Sequence, residues 1–84
     1  MKWNVIDVKV QEHLVLSVCF QDGTQGYVHF KPSHLWGVFE PLKNPNFFNQ
    51  VFIDHGVVTW PGELDLAPDA MHEAIQQHGK WILQ

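Results

Sequence analysis

Apolar and polar side chains alternate through three successive segments of the first thirty residues. An alternation with a period of two is typical of a strand with one buried face. Asp22-Gly23 lies between two of the segments, and it predicts a hairpin turn because glycine accepts a positive φ angle. The pattern therefore predicts a three-stranded antiparallel meander whose even-numbered apolar positions share the buried face: Ile6, Val8 and Val10 in residues 4–10, Leu14, Leu16, Val18 and Phe20 in residues 14–20, and Val28 and Phe30 in residues 25–30.

The second half of the chain predicts another hairpin and one longer helix. Gln50–Ile53 and Val57–Trp60 have strand-like composition and flank the turn residues Asp54-His55-Gly56. Pro68 suits the first position of a helix, where its missing N–H leaves no bond unmade, and Gly79 predicts the end of that helix. Helical spacing gives this helix a buried stripe: Ala70, Met71, Ala74 and Ile75, which His78 can extend.

The segment between the two hairpins is irregular, and we expect short helical turns there, bounded by prolines. Phe39, Leu42, Phe47 and Phe48 are then expected to cover the apolar face of the sheet. The expected fold class is α+β, with a small antiparallel sheet (the three-stranded meander plus the second hairpin) packed against short helical turns and a C-terminal helix. Eighty-four residues suit a single domain, 1–84, whose apolar tail 80–84 packs on the domain or on a neighbour.

Charge and cysteine content exclude several classes of function. All five basic residues are lysines, spread singly along the chain, and the net charge is −4. Proteins that bind DNA or RNA directly need clustered Lys and Arg, so we expect no nucleic-acid binding. Cys19 is the only cysteine, which excludes an intramolecular disulfide and a cysteine-based zinc site. No apolar run approaches the length of a membrane helix, and we expect a cytoplasmic protein that does not bind membranes.

Catalytic and metal-binding patterns are weak in this sequence. Asp69, His72 and Glu73 share one face of the predicted C-terminal helix, at positions i, i+3 and i+4. Two interpretations remain open for this triad. It is either a solvated polar face or the metal or ligand site of a small enzyme domain. No nucleophile elbow and no phosphate-binding glycine loop accompanies it, so we expect no cofactor and no enzymatic activity.

An acidic region is the main candidate for a binding surface. The candidate partner-binding residues are Trp60, Glu63, Asp65, Asp69 and Glu73. Carboxylates beside an exposed aromatic side chain suit a basic protein partner, because complementary charge speeds the encounter and the aromatic ring anchors the complex. The alternative interpretation is a solvated rim without a partner.

The outward face of the predicted meander offers a further alternative. It carries Tyr27 and His29 and is less polar than a freely solvated face. A structural homodimer that buries Tyr27, His29 and the Trp81 tail between subunits would explain this composition. Packing of another part of the same chain over this face would explain it equally well.

Several short motifs occur in a recognisable order along the chain. They are Asp22-Gly23, Gly37-Val38-Phe39-Glu40-Pro41-Leu42, Thr59-Trp60-Pro61-Gly62, Asp65-Leu66 and Pro68-Asp69. In this order the sequence resembles a large bacterial family of small domains of unknown function, typified by the N-terminal domain of a hypothetical protein from a nitrifying bacterium. The asparagine of the usual Trp-Pro-Asn-Gly motif is missing from this chain.

The resemblance implies an α+β fold and a gene set beside that of another small protein, in pairs proposed to be toxin–antitoxin-like. Together with the acidic region, this implication gives the leading hypothesis. The chain is expected to be a non-enzymatic protein-binding module, antitoxin-like or an adaptor, that contacts a small basic partner protein.

Overall fold

The computed structural model describes residues 3–84, and within them seven strands form two sheets. The fold is α+β, as the sequence predicts, and the elements follow one another along the chain in a simple order. They are β1 (Val5–Glu12), β2 (Val15–Phe20), β3 (Gln25–Phe30), two 3₁₀ helices (Pro32–His34 and Gly37–Lys43), α1 (Pro45–Phe48), β4 (Phe52–Asp54), β5 (Val57–Trp60), β6 (Leu64–Asp65), α2 (Pro68–His78) and β7 (Lys80–Leu83).

The predicted meander is confirmed and forms most of the first sheet, whose strand order is β1-β2-β3-β7. Strands β1, β2 and β3 are antiparallel, and Leu16 lies opposite Val28 in the shared buried face. The apolar tail supplies the fourth strand, because β7 pairs with β3 in parallel and places Trp81 opposite Val28. The tail therefore packs on its own domain.

A β-bulge changes one predicted side-chain orientation at the start of β1. Val5 pairs with Phe20 and Asp7 pairs with Cys19, so Ile6 is the extra residue between two regular pairs. The irregularity turns Val5 into the core, whereas Ile6 is 60% exposed. The prediction that Ile6 belongs to the buried face is wrong, since the strict period of two does not hold across the bulge.

The second sheet has the strand order β4-β5-β6 and contains the predicted second hairpin. Asp54 pairs with Val57, so His55 and Gly56 form a two-residue loop. Both have positive φ angles, 52° and 80°, as the type I′ turns that connect tight hairpins require. The short strand β6 adds a third member that the sequence pattern does not predict.

The core lies between the inner face of the first sheet, α2, the second sheet and the short helices. Three aromatic rings form its centre, with centroid distances of 5.8 Å for Phe30–Phe48, 6.0 Å for Phe30–Trp60 and 5.8 Å for Phe48–Trp60. Leu42 and Phe48 are fully buried, as expected for residues that cover the sheet. Large aromatic side chains allow so short a chain to bury enough apolar surface to fold.

The predicted limits of the long helix are confirmed. Pro68 occupies its first turn, and Gly79 caps its end in the left-handed conformation with φ 75°. Met71 and Ile75 are buried. Ala70 and His78, predicted in the same stripe, are exposed. Within residues 3–84, none of the helices combines the length and the apolar character that crossing a membrane requires.

Candidate functional site

Trp60 does not lie on the surface. It belongs to β5, the central strand of the second sheet, and its side chain is fully buried. The indole Nε1–H donates a hydrogen bond of 2.9 Å to the backbone carbonyl of Phe48. The prediction that Trp60 borders the acidic region as an exposed aromatic anchor is therefore wrong. Val58, Thr59 and Trp60 are consecutive and all buried, so both faces of β5 are covered at this end of the strand.

The other four predicted site residues are all exposed, and they lie on two segments of the chain, at β6 and on α2. Glu63 and Asp65 line a small cleft of about 190 Å³ together with Val38 and Phe39. Asp69 and Glu73 lie on α2, outside the lining of this cleft. Neither Glu63 nor Asp65 forms an ion pair within the part of the chain that the structure describes.

A larger cleft of about 420 Å³ adjoins the small one. It is lined by His34, Trp36 and Gln84, and it shares Val38 and Phe39 with the small cleft. We name the combined feature the acidic–apolar cleft and define it by five residues: Trp36, Val38, Phe39, Glu63 and Asp65.

Two local backbone features position the walls of the acidic–apolar cleft. Gly37 has a φ angle of 60° and opens the second 3₁₀ helix, which directs Leu42 inward and leaves Trp36 and Val38 outside. In the opposite wall Gly62 and Glu63 are both left-handed, with φ angles of 88° and 66°. Left-handed backbone at a residue with a side chain costs on the order of 1–3 kcal/mol, so the surrounding fold must hold Glu63 in place.

The exposed apolar wall of this cleft was missed by sequence reasoning. Trp36 is 74% exposed and Val38 is 73% exposed, the two largest values among the large hydrophobic residues. The segment around Gly37 has no periodicity, so the pattern does not distinguish the outward Trp36 from the inward Leu42. The expectation that this segment only covers the core is thus correct for Leu42 and incomplete for its neighbours.

His72 is not part of a polar face with Asp69 and Glu73. It is buried, its ring packs edge-on against Phe20, and its Nε2 lies 2.8 Å from Oδ2 of Asp22. Asp69 and Glu73 remain exposed. Within residues 3–84, no three His, Cys, Asp or Glu side chains are gathered in a way that could hold a metal ion. The metal site considered for this triad is therefore absent, because His72 faces the core and bonds to the β2–β3 turn.

The Asp22–His72 contact joins the turn between β2 and β3 to α2. The backbone N–H of Thr24 donates to Oδ1 of Asp22 at 3.0 Å, and the His72 imidazole lies at the other oxygen. The hydrogen bond from Thr24, followed by that from His72, lowers the pKa of the Asp22 carboxyl from 3.8 to about 2. The folded state thus favours the ionised carboxylate.

We expect this lowered pKa to appear as a pH dependence of stability. A carboxyl with a depressed pKa stabilises the folded state above its ordinary value of 3.8 and loses this contribution as pH falls through about 2. The free energies of unfolding of the wild type and of Asp22→Asn should therefore be similar near pH 2 and diverge towards pH 4, with the wild type more stable. Urea unfolding at several pH values measures the gap. A gap that is constant across this range would contradict the prediction.

The residues considered for a homodimer lie on two different faces of the first sheet. Tyr27 is 48% exposed and points outward with His29. Trp81 pairs with the buried Val28, so its side chain lies on the inner, core-facing side. An interface confined to the outward face would therefore include Tyr27 and His29 but not Trp81.

Comparison with known protein families identifies a family that covers most of the chain. The model of a family described as "Protein of unknown function (DUF2442)" matches residues 5–77, which is most of the chain. No curated protein and no solved structure matches the chain.

Proposed function

We propose that this chain, which belongs to the DUF2442 family of proteins of unknown function, is a non-enzymatic protein-binding module that holds a small basic partner protein in the acidic–apolar cleft. The observation that carries the proposal is the position of Trp36 and Val38. These two strongly exposed apolar side chains adjoin, through Val38, the small cleft that Glu63 lines.

Exposure of large apolar side chains supports a binding role. A single exposed apolar residue is ordinary, but a contiguous exposed apolar patch marks an interaction site, and Trp36 and Val38 line the same cleft. Aromatic residues, and Trp above all, are enriched among the residues that contribute most to protein–protein affinity. In this proposal Trp36, rather than the buried Trp60, is therefore the aromatic anchor.

The charge of the cleft supports a basic partner. Glu63 and Asp65 form no ion pair in the described part of the chain, and the whole chain carries a net charge of −4. A lysine or arginine of the partner would find two carboxylates beside an apolar wall, an arrangement that steers association and fixes its orientation.

A role as an antitoxin or an adaptor agrees with these features. Both kinds of protein act by covering the surface of a partner, which requires an exposed apolar and charged site and no reacting group. We further propose a bacterial, cytoplasmic setting, supported by a composition with a single cysteine that depends on no disulfide.

The decisive measurement is binding to the product of the neighbouring gene, with two matched pairs of substitutions. Glu63→Gln with Asp65→Asn removes two carboxylates inside the cleft, whereas Asp69→Asn with Glu73→Gln removes two outside it. We expect the first pair to weaken binding at least about tenfold, and the second to have a small effect, because short-range charge pairs depend on position.

Trp36→Ala should cost about 2 kcal/mol or more of binding free energy, as an aromatic anchor does. Isothermal titration calorimetry with the two proteins purified separately measures the affinity of the tryptophan variant and of both pairs of charge variants.

Two outcomes would contradict the proposal. One is the absence of a complex at micromolar concentrations of both wild-type proteins. The other is an equal loss of affinity for both pairs of substitutions, which would mean that net charge, rather than the cleft, attracts the partner.

A further inference from the structure

Strand β7 is an open edge of the first sheet. It has β3 on one side, and the strand order places no strand of residues 3–84 on its other side. The Tyr27 N–H donates to the carbonyl of Gly79 at 3.3 Å, and the Lys31 N–H donates to the carbonyl of Leu83 at 2.8 Å. Backbone groups point alternately to the two sides of a strand, so the N–H and C=O groups of Lys80 and Ile82 point away from β3.

An apolar groove of about 380 Å³ runs along this open edge, between β7 and α2. It is lined by Ala74, His78, Lys80, Trp81 and Ile82. Trp81 is partly buried on the side of the sheet that faces α2, and Ile82 is 39% exposed on the other side. Proteins usually protect such an edge with proline, bulges or several charges, whereas β7 carries only Lys80.

We propose that two copies of this chain pair through β7, antiparallel and about a two-fold axis, so that two four-stranded sheets become one continuous sheet. In this register Lys80 lies opposite Ile82 of the partner subunit, and each pair exchanges two hydrogen bonds. All the outward N–H and C=O groups of Lys80 and Ile82 are then satisfied. Trp81 faces Trp81 of the partner subunit across the axis, in a pair without hydrogen bonds whose Cα atoms are about 4.5 Å apart.

The charges along the edge favour a second copy. The chain carries a net charge of −4, yet no carboxylate lines the groove, so two acidic molecules can meet here without opposing their acids. The register also places each Lys80 opposite an isoleucine rather than opposite the other lysine, and direct opposition of like charges is what destabilises cross-strand pairs.

The area available agrees with a modest interface. Trp81 is already partly buried in one copy, so each ring contributes less than the roughly 150–250 Å² that a fully exposed aromatic side chain removes from water. Such an interface is smaller than the about 1,200–2,000 Å² of stable, specific interfaces. We therefore expect a weak dimer that dissociates at micromolar or higher concentrations. The groove shares no lining residue with the acidic–apolar cleft, so this pairing does not rest on the proposed binding of a basic partner.

Analytical ultracentrifugation of the full chain, from micromolar to millimolar concentration, tests the proposal with two variants of one residue. Ile82→Thr keeps the outward N–H and should leave a dimer. Ile82→Pro removes that N–H, which β3 does not use, so the fold should survive while the dissociation constant rises roughly a hundredfold. Circular dichroism verifies folding. A wild type that stays monomeric throughout, or that forms larger oligomers, would overturn the proposal.

A cross-linking experiment tests the register even if Ile82→Pro does not fold. Trp81→Cys in a Cys19→Ser background should form a disulfide-linked dimer on mild oxidation, because the two-fold axis brings the Cα atoms of residue 81 within disulfide range. Ile82→Cys in the same background is the matched control. The two Cα atoms of residue 82 are offset along the strands, beyond the about 7 Å limit, so this variant should form no disulfide-linked dimer. Equal cross-linking of both variants, or of the control alone, would refute this register.

Discussion

Replacing Trp60 by alanine is expected to destabilise the fold by about 3–5 kcal/mol, the range for large aromatic residues in a core. The indole is fully buried among Phe30 and Phe48, so its removal leaves a cavity at the centre of the aromatic cluster. The substitution also removes the donor to the Phe48 carbonyl. Since domains have only about 5–15 kcal/mol of stability, we expect a large fall in the urea midpoint or complete unfolding.

Trp36→Ala is the matched control for this prediction. Trp36 is 74% exposed, so its truncation should change the free energy of unfolding by no more than about 0.5 kcal/mol. Trp60→Phe should lie between the two, because it keeps an aromatic ring but loses the hydrogen bond to Phe48. Comparable losses for Trp36→Ala and Trp60→Ala would contradict the division of roles between the two tryptophans.

The elements that could be predicted are those with local signals. Pro68 and Gly79 define the two ends of α2 by their own backbone chemistry, without reference to the rest of the fold. The His55-Gly56 loop has a comparable local signal, in a glycine that accepts a positive φ angle. The alternation in β2 and β3 likewise predicts their buried faces correctly, because no bulge interrupts their pairing.

The features that could not be predicted depend on contacts between distant segments. Trp60 and Trp36 both stand beside proline or glycine in the sequence, and only the packing of Trp60 against Phe30 and Phe48 distinguishes the buried tryptophan from the exposed one. His72 lies fifty positions from Asp22, its partner in the fold. Helical spacing alone groups His72 with Asp69 and Glu73 instead. The acidic–apolar cleft similarly joins the Gly37–Lys43 helix to the loop at Gly62. The residue pattern of one segment contains no information about its contacts with distant segments.

Gly26→Ala is the second substitution for which we expect a large effect. Gly26 lies on β3 beneath the C-terminal end of α2, and a Cβ atom there would collide with the backbone carbonyl oxygen of Gly79 and lie 2.7 Å from Cγ2 of Ile75. A side chain can rotate away, but the Gly79 carbonyl is held by its hydrogen bond from Tyr27. We expect a loss of about 1–3 kcal/mol or more, as for overpacked cores.

The location of the damage distinguishes this prediction from a general effect of mutating a strand. The end of α2 must move away from β3, so hydrogen exchange should accelerate in α2 and β7 more than in the β1–β2 hairpin. Gln25→Ala, at the neighbouring exposed position of the same strand, serves as the control and should change stability by no more than about 0.5 kcal/mol. If Gly26→Ala were as mild as Gln25→Ala, the close approach of α2 to β3 would not be a constraint on this fold. If exchange accelerated equally everywhere, the substitution would act on the sheet as a whole rather than on the docking of α2 and β7.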